Sequence, residues 1–126
     1  MPIGSAFRPE PADRIARPPV VAALVYIHAH LEGRMSLEHL ATRQGLSVGH
    51  FSALFRRCVG TSPYRYVSAA RVARVRTLLD DGVSIAAAAS AAGFYDQSHL
   101  TRHFKSLLGV TPGQYLLRQR RAAAPT

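Results

Sequence analysis

From Val20 onward, apolar residues recur three or four positions apart, and no run alternates apolar with polar residues. That periodicity is helical, so the sequence predicts an all-α chain. Val20, Leu24, Ile27 and Leu31 define a first helix, which Gly33 follows. Ser36 stands as N-cap before a short helix with Leu37, Leu40 and Ala41 on one face, ending near Gly45. Ser47 caps a third helix whose Phe51, Leu54, Phe55 and Cys58 share one apolar face, with Gly60 as the stop. Ser62-Pro63 sets a cap before a proline at the first helical position, and that helix runs to Leu79, where Asp80-Asp81-Gly82 breaks it. Ser84 opens a fifth helix, Ile85 to Ala92, closed by Gly93. Asp96 caps a sixth, with Leu100, Phe104, Leu107 and Leu108 inward and Gly109 as the stop. Thr111-Pro112-Gly113-Gln114 combines a capping box with a first-position proline and opens a seventh helix through Tyr115 and Leu117.

Two stretches of this pattern repeat. Ser36, Leu37, Ala41, Gly45 and Leu46 match Ser84, Ile85, Ala89, Gly93 and Phe94 at an offset of 48. One inserted residue makes the offset 49, and His50, Phe51, Phe55, Arg56, Gly60 and Pro63 then match His99, Leu100, Phe104, Lys105, Gly109 and Pro112. Caps, stops and core positions agree in order, which marks an internal duplication of a helix–turn–helix unit. The expected organisation is a disordered leader or linker over 1–19 and a domain over 20–118, followed by a basic, fraying tail over 119–126. Within the domain, a first subdomain (20–61) and a second (83–118) flank a long connector helix (62–80). Phe51, Phe55, Phe94, Phe104 and Leu108 are the expected core aromatics and aliphatics. The Ala86–Ala89 run suits close helix packing, and Cys58 reads as a small buried hydrophobe.

Charge narrows the partners. The 126 residues carry sixteen Lys and Arg against seven Asp and Glu, a formal charge of +9, and every cation except Lys105 is Arg. A basic excess on a chain that is 48% apolar points to nucleic acid first and an anionic membrane surface second. The absence of Trp and the single Lys weigh against a membrane-surface helix. No apolar stretch is long enough to span a bilayer, and no signal peptide opens the chain, so the expected compartment is the cytoplasm, at the nucleoid. The single cysteine excludes an intramolecular disulfide and a multi-cysteine zinc cluster. His99 and His103 stand four apart, but no acid or thiol nearby completes a metal set, and Asp80-Asp81 reads as a turn without a partner. With no acid pair, nucleophile–base set or phosphate-cradling glycine loop, the chain is not expected to be an enzyme or to hold a cofactor.

The second helix of each unit presents a polar face opposite its apolar one. In the first unit that face carries Val48, Gly49, Ser52, Ala53, Arg56 and Arg57; in the second, Gln97, Ser98, Thr101, Arg102 and Lys105. A B-DNA major groove admits one α-helix, and side chains near the helix start reach the base edges. Gln97, Ser98, Thr101 and Arg102 have the chemistry of base readers, whereas Arg56, Arg57 and Lys105, further along, suit phosphates. His50 and His99 occupy matching places at the two helix starts and are candidates for base or phosphate contact. Asp96 reads as a cap rather than a base reader. Arg118, Arg120 and Arg121 beyond the last helix suit non-specific affinity or a solvated surface.

The run Gly93-Phe94-Tyr95-Asp96-Gln97-Ser98-His99-Leu100-Thr101-Arg102-His103-Phe104-Lys105, continued by Gly109-Val110-Thr111-Pro112 and Tyr115, resembles the signature of AraC/XylS-type transcription regulators, over about residues 20–118. The resemblance implies a bacterial activator or repressor with seven helices, two helix–turn–helix subdomains and a connector. Its recognition helices would span about 47–58 and 96–107 and enter successive major grooves of an asymmetric promoter site. The implied base contacts are Gly49, His50, Ser52, Ala53, Gln97, Ser98, Thr101 and Arg102. The implied phosphate contacts are Arg56, Arg57, His99, Lys105, Arg71, Thr61 and Thr111. Gly49, Ser52 and Ala53 are short, so the first unit is expected to read shape, thymine methyls and phosphates, with His50 and Arg57 as its longer side chains. Double-stranded DNA and RNA polymerase are the implied partners. The chain is expected to act as a stand-alone monomer without a small-molecule effector; a helical module binding a membrane surface or a protein is the alternative.

Overall fold

The computed structural model describes residues 17–123. Most of the predicted leader, 1–16, and residues 124–126 lie outside the described residues. Seven α-helices account for the regular structure among those described: α1 (Pro18–Ala29), α2 (Leu37–Arg43), α3 (Val48–Val59), α4 (Pro63–Asp80), α5 (Ile85–Ala91), α6 (Gln97–Leu108) and α7 (Pro112–Ala123). They form two compact units, with the division at Val67–Ser68 inside α4.

In the first unit α1 and α2 both pack on α3. The buried face of α3 is Phe51, Leu54, Phe55 and Cys58; Val20, Ala23, Ile27 and Leu31 from α1 and the loop after it, and Leu40 and Ala41 from α2, are buried as well. Leu24, expected on that stripe, is only partly covered; Ala23 takes the buried place. Phe51 and Phe55 lie with ring centroids 5.8 Å apart, and Tyr66, from the start of α4, meets Phe55 edge-on at 5.8 Å. In the second unit α5 and α7 pack on α6. Its core joins Val72, Val75 and Leu79 of α4, Ala88, Ala89 and Ala92 of the α5 region, Phe94, and Leu100 and Phe104 of α6. Of the alanine run, Ala88 and Ala89 are buried as expected, while Ala86 and Ala87 face solvent.

The predicted punctuation is present at hydrogen-bond level. Ser36, Ser47, Ser62, Ser84 and Asp96 each accept the backbone N–H three residues on. Thr111 and Gln114 exchange both bonds of the capping box, at 2.9 and 3.1 Å. Gly60 and Gly109 end α3 and α6 at φ +97° and +79°, a left-handed conformation that side chains resist.

Four expectations are corrected. First, α1 starts at Pro18, not Val20, because prolines have no N–H to lose where helical N–H groups lack partners, and the N–H groups of Val20 and Val21 both reach the Arg17 carbonyl at 3.0 Å. Second, the basic segment after Leu117 is helical as far as Ala123, the last residue described, in keeping with a run of good helix formers. Third, Leu107 and Leu108 are not core but 46% and 37% exposed, since Phe104 is the last residue of α6 to reach the core. With Ala69, Val72, Ala73 and Arg76 they line a shallow groove of about 180 Å³. Fourth, Asp80 has a partner: its carboxylate accepts the Tyr115 hydroxyl at 2.8 Å, joining the end of α4 to α7.

Candidate nucleic-acid interface

The repeat in sequence is a repeat in geometry. α2 and α5 are both seven residues long, α3 and α6 both twelve. The turn between the helices of each unit is pinned the same way: the Leu46 N–H reaches the Ala41 carbonyl at 3.0 Å, and the Phe94 N–H reaches that of Ala89 at 2.9 Å. Each unit therefore holds its second helix by one buried face and leaves the opposite face, including the start of the helix, open to a ligand.

On α3 that open face carries Gly49, His50, Ala53, Arg56 and Arg57, all exposed, with Val48 37% exposed and Ser52 partly buried. A methyl group built on Gly49 would meet nothing within 4 Å, so nothing in the described residues requires a glycine there. The face is smooth and small near its start and cationic in the last turn. On α6, Gln97, Ser98, Arg102 and Lys105 are exposed, while His99, Thr101 and His103 are partly covered. Gln97, Ser98 and Arg102 thus offer an amide, a hydroxyl and a guanidinium on one surface. The Thr101 hydroxyl donates to the Gln97 carbonyl at 2.9 Å, which leaves its oxygen as an acceptor and its methyl for apolar contact.

The other expected phosphate ligands sit differently. Thr61 and Thr111 are partly buried just before α4 and α7, and Thr111 is bound into its capping box. Arg71 is partly buried on α4, where its charge reaches His103. The His99 ring is engaged within the protein: its Nδ1 accepts the Tyr95 N–H at 3.0 Å. Burial holds the His103 imidazole below the usual histidine range, and His99, Arg102 and Arg71 push the same way. His103 stacks edge-on with His99 at 4.7 Å and lies 5.7 Å from Phe94.

Sequence reasoning missed two polar assemblies. In the first unit Tyr26 stacks on His30 at 4.0 Å, bonds His39 through its hydroxyl at 3.1 Å and lies under the Arg43 guanidinium at 4.3 Å. His28 there meets the Tyr66 hydroxyl at 2.6 Å, and burial raises the Tyr66 phenol above its ordinary value. In the second unit Tyr95 stands 88% exposed immediately before Asp96, the cap of α6. The one-residue break in the repeat was the available signal for Tyr95; the Tyr26 cluster joins two pairs at helical spacing, Tyr26 with His30 and His39 with Arg43, and no spacing shows that the pairs meet. Among the described residues no group of three or more His, Cys, Asp and Glu could hold a metal ion, and no helix is long and apolar enough to cross a membrane.

Two matched helix–turn–helix units, each offering the polar face of its second helix, define the class as a double helix–turn–helix protein. Residues 40–118 match the model of a helix-turn-helix domain family. The chain is 30% identical over 95 residues to an uncharacterised helix-turn-helix transcriptional regulator, YobQ of Bacillus subtilis, covering 75% of this chain and 39% of that protein. It is 31% identical to the multiple antibiotic resistance protein MarA of Salmonella typhimurium, covering 73% of each. The DNA-binding domain of AdpA, a global transcriptional factor solved in complex with a target DNA, superposes with a TM-score of 0.77 at 28% identity, covering 86% of this chain and all of that one. A putative AraC-like transcription regulator of Streptomyces antibioticus is 30% identical over 102 residues, covering 80% of this chain and 34% of that protein, and the chain belongs to the AraC/XylS family. It spans 31 to 39% of the length of three of the curated relatives it matches.

Proposed function

We propose that the protein is a sequence-specific DNA-binding transcription regulator that reads duplex DNA with α3 and α6. The observation that carries this reading is the duplicated unit with its two equivalent, exposed helix faces, within a family whose relatives include a domain solved on target DNA. In this reading Gln97, Ser98, Thr101 and Arg102 contact base edges, the amide suiting adenine and the guanidinium suiting guanine. Gly49, Ser52 and Ala53 let the α3 backbone approach closely and read thymine methyls and groove shape, with His50 alongside. Arg56, Arg57, Lys105, Arg71, Thr61 and Thr111 serve phosphates. The chain binds as a monomer in the cytoplasm, meets RNA polymerase at the promoter, and performs no catalysis.

The test is selection of bound duplexes from a random library by the purified chain at near-physiological salt. The expected product is an asymmetric consensus of two blocks about ten base pairs apart, one turn of B-DNA. Failure to prefer any duplex over random DNA by more than about threefold overturns the reading, because specific and non-specific affinities normally differ by ~10³ or more.

A further inference from the structure

The two units align position for position, with an insertion at one place. Leu46 is followed directly by the cap Ser47, whereas Phe94 is separated from the cap Asp96 by Tyr95. An inserted residue adds one backbone N–H to a tight turn, a donor that takes a partner from the protein or from water. The N–H groups of Leu46 and Phe94 are matched and already satisfied, so the added donor is that of Tyr95. It is met by Nδ1 of His99 at 3.0 Å, while the His99 N–H donates to the Asp96 carboxylate at 2.8 Å. The arrangement is a capping box shifted by one residue, with an imidazole in place of the usual Glu or Gln and the N–H before the cap, rather than that of the cap, as its donor. His50 holds the same place on α3, but the first unit has no inserted residue for its ring to meet. An Nδ1 that accepts carries no proton, so the proton of the neutral ring is on Nε2. The ring is further fixed edge-on to Phe94 at 5.4 Å and to His103 at 4.7 Å.

This clamp holds a backbone whose side chain points into solvent. Tyr95 is 88% exposed, more than any other large apolar side chain described. It stands directly before the cap Asp96, two residues from Gln97 at the start of α6, where a helix entering a groove passes the groove wall. A phenol on a fixed turn gives up little conformational entropy on binding and carries an O–H donor suited to a phosphate oxygen. We propose that Tyr95 is a further DNA-contacting residue, its hydroxyl donating to a backbone phosphate at the edge of the groove that α6 enters, and that His99 is the positioning residue that holds it there. The proposal rests on the DNA-reading role of α6 given above.

The test is equilibrium binding of the full chain to its selected duplex and to a randomised one, over a range of salt. Tyr95→Phe is expected to weaken both duplexes by about five- to tenfold, the upper part of the range of an ordinary net hydrogen bond, because the site is exposed to water. The slope of affinity against salt should stay at the wild-type value, because a neutral phenol displaces no counterion. Arg102→Ala is the control: wild-type selectivity that Arg102→Ala reduces, beside an unchanged Tyr95→Phe, overturns this proposal and leaves the DNA reading intact. A wild-type chain without selectivity overturns both. A loss confined to the selected duplex overturns the phosphate assignment in favour of a base contact. For His99, the Ala variant should lose a similar factor and His99→Gln should restore it, since a Gln oxygen can accept the Tyr95 N–H. In a Tyr95→Ala background, His99→Ala should cost nothing further; additive losses, or failure of Gln to rescue, overturn the positioning role. In the free protein, the Tyr95 amide should exchange with solvent faster in His99→Ala than in His99→Gln; equal rates overturn the clamp.

Discussion

Arg102 and Lys105 are both exposed on α6, less than one turn apart, and the proposed complex gives them different work. Arg102 lies at the middle of the helix, a turn beyond Gln97 and Ser98 and proposed to reach a base edge; Lys105 lies in the last turn, where phosphates are. Arg102→Ala should cost about 1–3 kcal/mol on the selected duplex and relax the preference at one position of it. Lys105→Ala should weaken all sequences alike and lower the salt slope by about one counterion. Binding titrations of both variants on matched and mismatched duplexes separate the two outcomes. His103 provides a pH handle on stability. Burial disfavours its charged form in the folded protein, so below about pH 6.5, the ordinary histidine value, the unfolded chain takes up the proton first. Stability should therefore fall as pH drops through that range, and the fall should be smaller in His103→Gln. Thermal melts of both proteins between pH 8 and pH 5, about 1.5 units either side of the ordinary value, check the sign.

At the scale of elements, each helix is bounded by chemistry that acts over three or four residues. Ser47, Ser84 and Asp96 cap because their side-chain oxygens reach an N–H three residues on, a contact written in the local sequence. Gly109 stops α6 because φ is +79° there, and Gly109→Ala should destabilise the protein by about 1 kcal/mol or more although its added methyl meets open space. A denaturant melt reads that loss, and an unchanged midpoint would show that α6 can end without the left-handed residue. Tyr115→Phe removes only the hydroxyl that bonds Asp80 and should cost about 0.5–1.5 kcal/mol while leaving the ring against Phe104. The Asp80–Tyr115 bond spans 35 residues, which is why the acid pair at the end of α4 looked partnerless in the sequence. The last turn of α6 misled for a related reason: Leu107 and Leu108 continue the periodicity of Leu100 and Phe104, yet the core of the unit ends at Phe104.

For the whole molecule, the repeat determines the proposed mode of action: two copies of one reading device, unequal in the chemistry they present. The α3 face is short-chained near its start, and the α6 face is rich in hydrogen-bonding groups. Block by block, the selected consensus should carry more information where α6 binds. Gly49→Ala should leave folding intact, since space is open at that site, and should weaken binding only if the α3 backbone lies against DNA. A melt and a titration on the same sample decide this.

The sequence by itself determined the all-α class, the bounds of most helices to within a residue or two, the duplication and the exposed candidate readers. All of these follow from short-range rules: helical period, caps three residues away, and glycine where a side chain is strained. The tertiary structure alone decided which parts of the apolar stripes are covered and that Asp80 joins Tyr115. It also decided that the His99 ring turns back to Tyr95, and that the Arg71 charge reaches His103. Those outcomes depend on how elements distant in sequence pack and on which way a ring turns within a packed turn. No spacing along the chain encodes that choice, because it is settled by the burial and hydrogen-bond partners that become available only once the helices have come together.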